Sequence, residues 1–178
     1  MNKPDALRQH LLAAIPELEQ NPQRLALSLE QGQLRSTAAG GLSFEYSYVL
    51  NLNVSDFSAS LDALVVPLLA WLRVNQHELL ANQSQAANAI RFSSDNANAQ
   101  GGSLSISLAL SERVLVTENA DGSLSVSHPD EPQLAPFYPP GPWQLSVHDM
   151  PLASWHSTYR SGGDVASPHP IRTKPAAS

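Results

Sequence analysis

The chain has 178 residues, a net charge of −6 and no cysteine. That length fits one domain able to bury a core without covalent staples, and the cysteine count excludes disulfides, thiolate chemistry and cysteine-ligated metal. The few basic residues, Arg24, Arg35, Arg73, Arg91 and Arg113 among them, are far apart in sequence, which leaves no clustered patch for gripping phosphates.

The opening MNKPDALRQH is polar and then helical, without the apolar core of a signal peptide. Pro4 to about Ala14 reads as a helix, with Pro4 in its first turn, Asp5 at the positive end and a stripe of Leu7, Leu11, Leu12 and Ile15. Pro16 ends or redirects it, and Glu17 to Asn21 adds a further turn. Arg24 to Glu30 alternates through Leu25, Leu27 and Leu29. Gln31-Gly32 reads as a turn and Gln33 to Thr37 as a weaker strand, followed by a loop over Ala38 to Gly41.

Phe44 to Phe57, FEYSYVLNLNVSDF, places Phe44, Tyr46, Tyr48, Leu50, Leu52 and Val54 on every second position. It predicts a long strand with one apolar and one polar face. Asn51 and Asn53 lie in its middle, where Asn is disfavoured. Ser60 is suited to cap a helix with Asp62 in its first turn. Leu61 to about Leu80 repeats apolar residues at helical spacing, with Pro67 and Trp71 inside. Its apolar run, Ala63 to Leu72, falls short of the roughly 20 residues that span a bilayer. A soluble protein made in the cytoplasm, with no membrane partner, is expected.

Ala81 to Asn88 and Ser94 to Gly102 read as loops flanking a short strand at Ala89 to Ser93. Ser103 to Glu118 alternates through Leu104, Ile106, Leu108 and Leu110, with Val114 and Val116 at the same parity. Asp121-Gly122 signals a hairpin, and Ser123 to Ser127 returns. Beyond His128 the composition changes: ten of the fourteen prolines lie between Pro129 and Pro175, which argues against packed regular structure. Phe137, Tyr138, Trp143, Trp155 and Tyr159 are nevertheless spread along this stretch, more aromatics than a solvated linker carries. It reads as an extended arm lying on its own domain or on a neighbour, with disorder expected over 161–178. The expected organisation is an α+β domain over 1–128, a mainly antiparallel sheet packed by an N-terminal helix and one long central helix, and a Pro-rich arm over 129–178.

The six histidines, His10, His77, His128, His148, His156 and His169, show no close helical pairing of a metal motif. His148-Asp149 near serines offers triad ingredients without a nucleophile elbow. Asp130-Glu131 reads as a solvated acidic pair. There is no phosphate-binding glycine motif. No metal, no cofactor and no catalysis are expected; a small hydrolase using His148 and Asp149 is the enzymatic alternative. The polar sheet faces carry Ser47, Asn51, Asn53, Ser105, Ser107, Ala109 and Ser111. Small neutral polar groups suit close subunit packing or a pore that must not hold a polyanion, and equally an ordinary wet face.

MNKPDALR, GLSFEYSYVLNLNVSDF, PLLAWLRVNQHELL and LSISLALSERVLVTENADG together resemble the gpR-type tail completion proteins of temperate contractile-tailed phages, the Peduovirus group, in order over residues 1–128. The resemblance implies a structural protein that ends tail polymerisation as a ring, typically of six copies, on the head-proximal end of the tail tube. Its implied partners are itself, the tube and sheath proteins and a head connector, with DNA only passing through the lumen. Headless contractile bacteriocins use relatives as a cap. Expected subunit or partner contacts are Asn51, Asn53, Arg91, Phe92, Phe137, Tyr138, Trp143, Trp155 and Tyr159, with Ala89 to Ser93 or Gln33 to Thr37 as a pairing edge. A protein-binding module whose Pro-rich arm captures a partner is the non-viral alternative.

Overall fold

The computed structural model describes residues 1–36, 41–81, 89–95, 102–131 and 140–157. Four strands, β1 (Leu25–Ser36), β2 (Phe44–Phe57), β4 (Gly102–Glu118) and β3 (Ile90–Asp95), form an antiparallel sheet in the order β1-β2-β4-β3. A fifth, β5 (Leu124–Ser127), pairs with the far end of β4. The architecture is α+β, as the alternating strands and amphipathic helices predict.

The period-two pattern of β2 and β4 decides which face is covered. Cross-strand rows run Leu25–Val54–Leu104, Leu27–Leu52–Ile106–Phe92 and Leu29–Leu50–Leu108–Ile90. Leu50, Leu52, Ile106 and Leu108 are fully buried. Each such side chain stabilises the fold by about 1.5–3 kcal/mol relative to exposure.

Two helices cover that face, α1 (Lys3–Ala14) and α3 (Leu61–Asn75), with the short α2 (Pro16–Gln20) and a 3-10 turn at Pro22–Arg24 between α1 and β1. Leu7, Leu11 and Ala14 of α1 and Leu64, Leu68, Trp71 and Leu72 of α3 enter one continuous core with the sheet. Ser60 caps α3, its Oγ accepting from the Asp62 N–H at 3.3 Å, and α3 continues through Pro67.

Three local expectations are corrected. Gln31-Gly32 does not turn the chain: β1 continues through it as one strand. Glu30 pairs with Val49 and Gln33 with Ser47, so the register shifts in a β-bulge, with Gln31 at φ 52°. The central helix does not run to Leu80. It stops at Gln76, whose backbone leaves the helical region, and a separate turn, α4 (His77–Ala81), follows. Gln76 is only 4% exposed, and its amide is drawn inward to β4.

The proline content argues against packed structure beyond His128, yet β6 (Gly141–Val147) and β7 (Met150–Ser157) form an antiparallel hairpin. His148 and Asp149, both at positive φ, make its two-residue turn. β7 packs on α1 and α3. Ala153 is buried there, and Leu145, Leu152 and Trp155 are half-buried against the same core. Both strands of a two-stranded sheet are edges, so Pro142 and Pro151 remove no interior ladder bond. The loops expected over 38–40, 82–88 and 96–101 lie outside the described residues. Among the described residues no helix is long and apolar enough to cross a membrane.

Candidate functional site

The edges of the main sheet are the first candidate surface. β1 and β3 are its outermost strands, and among the described residues neither pairs with a further strand. The two segments expected to supply a pairing edge, Gln33 to Thr37 and Ala89 to Ser93, fall on these strands except at two positions: Ala89 is helical and buried just before β3, and Thr37 lies outside the described residues. Arg91 to Asp95 are exposed along β3, as is most of β1 beyond Leu27.

The polar face carries the expected Asn51, Asn53 and Arg91. Asn51 stands in one row with Ser28, Ser107 and Arg91 across all four strands. Ser107 Oγ donates to Asn51 Oδ1 at 2.6 Å, which gives a mid-strand Asn a cross-strand partner. Asn53 is exposed one pair along. Phe92 points the other way, to the helix-covered side, and extends past its cover with 65% of its surface exposed. Trp143 and Trp155 face each other in register on the hairpin, well away from the polar face's strands in chain connectivity, and Trp155 is partly occupied by the chain's own core. Phe137, Tyr138 and Tyr159 lie outside the described residues.

A second constellation sits at the core parity of β4, where alternation calls for an apolar side chain. Glu112 is 3% exposed. Its carboxylate accepts from the Asn2 N–H at 2.7 Å, the Lys3 N–H at 3.2 Å and the Tyr48 hydroxyl at 3.4 Å. His128 Nδ1 lies 2.7 Å from Oε1 without forming an aligned hydrogen bond. The α1 N-terminus has no capping side chain of its own, so Glu112 supplies the acceptor and the negative charge that a helix start favours. Beside it, Lys3 Nζ donates to Glu131 at 2.7 Å, to Gln76 Oε1 at 2.8 Å and to the Ser111 carbonyl at 2.7 Å. Gln76 Oε1 also accepts from the Ser111 N–H at 3.2 Å. The open edge of β4 between β3 and β5 is thus closed by side chains.

Sequence reasoning missed this network. The signal it carried was a carboxylate between Leu110 and Val114 on an otherwise apolar alternation. Burial, with a lesser push from the Glu112 charge, drives the Tyr48 phenol well above its ordinary value. The arrangement buries the Glu112 carboxyl group against backbone donors. His148 and Asp149, the triad ingredients, occupy an exposed turn. No cluster of three or more metal-ligating side chains occurs among the described residues.

A family model described as P2 phage tail completion protein R (GpR) matches residues 1–132. The chain is similar to tail completion protein R of Escherichia phage P2, with 39% identity over 155 residues, 87% of this chain and 99% of that protein. That match leaves 23 residues of the chain outside it, so it begins no later than residue 24 and ends no earlier than residue 155. It therefore takes in most of the hairpin, beyond the end of the family-model match. No solved structure matches the chain.

Proposed function

The chain belongs to the P2 phage tail completion protein R family, and from that premise we propose that it is a structural virion protein that closes the tail tube. In this reading it assembles as a ring, of six copies, on the head-proximal end of a contractile tail. There it stops tube polymerisation and presents the surface that the head connector meets. Its partners are further copies of itself, the tube and sheath proteins, the connector where a head is present, and DNA only in passage.

The observation that carries the reading is a sheet whose two outermost strands are different and both unpaired among the described residues. Identical subunits joined through two different surfaces associate head to tail, and a rotation closes them into a ring. The acidic balance suits a conduit for DNA, because a basic lumen would retard a polyanion. Assembly in the host cytoplasm accords with the absence of cysteine.

The test combines the solution mass of the purified protein over a range of concentrations with negative-stain images, alone and mixed with tail tubes. Closed rings of six, free or on one end of the tube, are the expected result. A monomer that never decorates a tube end, with tails of normal length formed in its absence, would overturn the reading.

A further inference from the structure

We propose that the ring closes by sheet extension, the outer edge of β3 in one copy adding to the outer edge of β1 in the next. This rests on the ring reading and names the surfaces that would build it. Strand direction is the first reason. The four strands alternate, so β3 runs opposite to β1. A rotation about an axis lying along the strands preserves direction. It sets β3 antiparallel to the neighbour's β1, with both helix layers on the same side.

The cross-strand rows are the second reason. On the helix side, the rows ending in Ile90 and Phe92 begin at Leu29 and Leu27. Phe92 is 65% exposed and Leu29 47%. Carrying the rows across the join lays Phe92 beside the next copy's Leu27 and Leu29, and apolar surface left in water at both edges is covered at once. On the polar side the same register sets Asp95 near the level of Arg24 and Arg91 one diagonal from Glu30. Opposite charges then meet at both ends of the join, Arg24 already holding Glu17 through Nη1 at 2.9 Å. Like charges do not coincide at any step of this register.

The third reason is what the edges lack. Exposed strands are commonly guarded against pairing by lysine or proline. Neither LALSLEQGQLRS nor IRFSSD contains one, and the bulge of β1, another such guard, lies beyond Glu30, outside the stretch that this register sets against β3.

A chain without cysteine permits a direct test. Ala26 and Ser93 occupy the same row on the polar face, three strand spacings or roughly 14 Å apart within one copy. That is beyond the roughly 7 Å that a disulfide spans. In the doubly substituted protein, Ala26→Cys with Ser93→Cys, a disulfide can form only between copies. Ser28→Cys with Ser93→Cys covers a slip of one pair, and Ala26→Cys with Ser125→Cys, on exposed β5, is the control. Mild oxidation of the assembled protein should give a ladder of covalent multimers ending at the ring size for one of the first two pairs, and less than one-tenth as much for the control. Phe92→Glu should raise the concentration needed for assembly at least tenfold and leave the melting temperature unchanged.

Rings seen in images with no ladder from either pair would overturn the β3–β1 join and leave the ring reading standing. If the protein is monomeric in solution, the same oxidation is applied to tails carrying the variants. No ladder there overturns the join, and no protein on the tube end overturns both.

Discussion

Glu112 stands where the alternation calls for a hydrophobic residue on the buried side of the longest strand, and its cost is offset by three hydrogen-bond donors. Removing the carboxylate leaves the Asn2 and Lys3 N–H groups and the Tyr48 hydroxyl without their common acceptor. Glu112→Ala should therefore destabilise the fold by about 3 kcal/mol, read by urea denaturation. At His10, burial holds the imidazole below its ordinary 6.5, partly offset by the hydrogen bond its Nε2 donates to the Pro67 carbonyl at 3.1 Å. The unfolded chain then takes up the proton first. The contribution is present above pH 6.5 and is lost as the pH falls below it toward the folded value. His10→Gln should flatten the stability slope on the acid side of 6.5, measured by thermal melts across that range. Gly122, at φ +80° in the β4–β5 turn, has open space where a Cβ would stand, so Gly122→Ala should cost only the left-handed backbone penalty, about 1 kcal/mol, in the same melts.

Among the elements, the sequence was most legible where period and chemistry agreed. β2, β4, α1 and the Ser60 cap of α3 follow from alternation, apolar stripes and a polar residue before a helix. The misread points share a cause: a long-range partner overrode a local signal. Gln-Gly is turn chemistry in isolation, but β1 can go on pairing with β2 by bulging there. The helical pattern beyond Asn75 continues on paper, but Gln76 satisfies the Ser111 N–H instead. Prolines discouraged any strand after His128, yet a two-stranded hairpin has no interior for proline to disrupt. Of the candidate site, the edge strands could be read from the pattern, whereas the row joining Asn51 to Arg91 depends on a register across four strands that alternation alone does not fix. The Glu112 network could not be read either, because its bonded partners are separated by up to 128 residues. Hairpin docking makes its own prediction. Ala153 is 3% exposed against the helices, so Ala153→Asp should cost about 3 kcal/mol by forcing a charge into that contact or releasing the hairpin. Near-ultraviolet dichroism of Trp155 reports which.

At the scale of the whole molecule, β4 is the member on which the rest depends. β2 pairs along one side of it, β3 and β5 share the other, and Lys3 and Gln76 close the interval between them. The first helix thus has no acceptor for its leading N–H groups until Glu112 exists, and Lys3 has no ion-pair partner until Glu131 follows. During synthesis at about 5–20 residues per second, the N-terminus waits roughly 5–20 s for its anchor. Nascent chains halted before β4 should be cut rapidly by protease, and those released after Ser157 should resist. A tail protein built this way cannot present both outer strands in finished form before most of its length is made, so prematurely terminated chains would be unable to enter a growing assembly and block it.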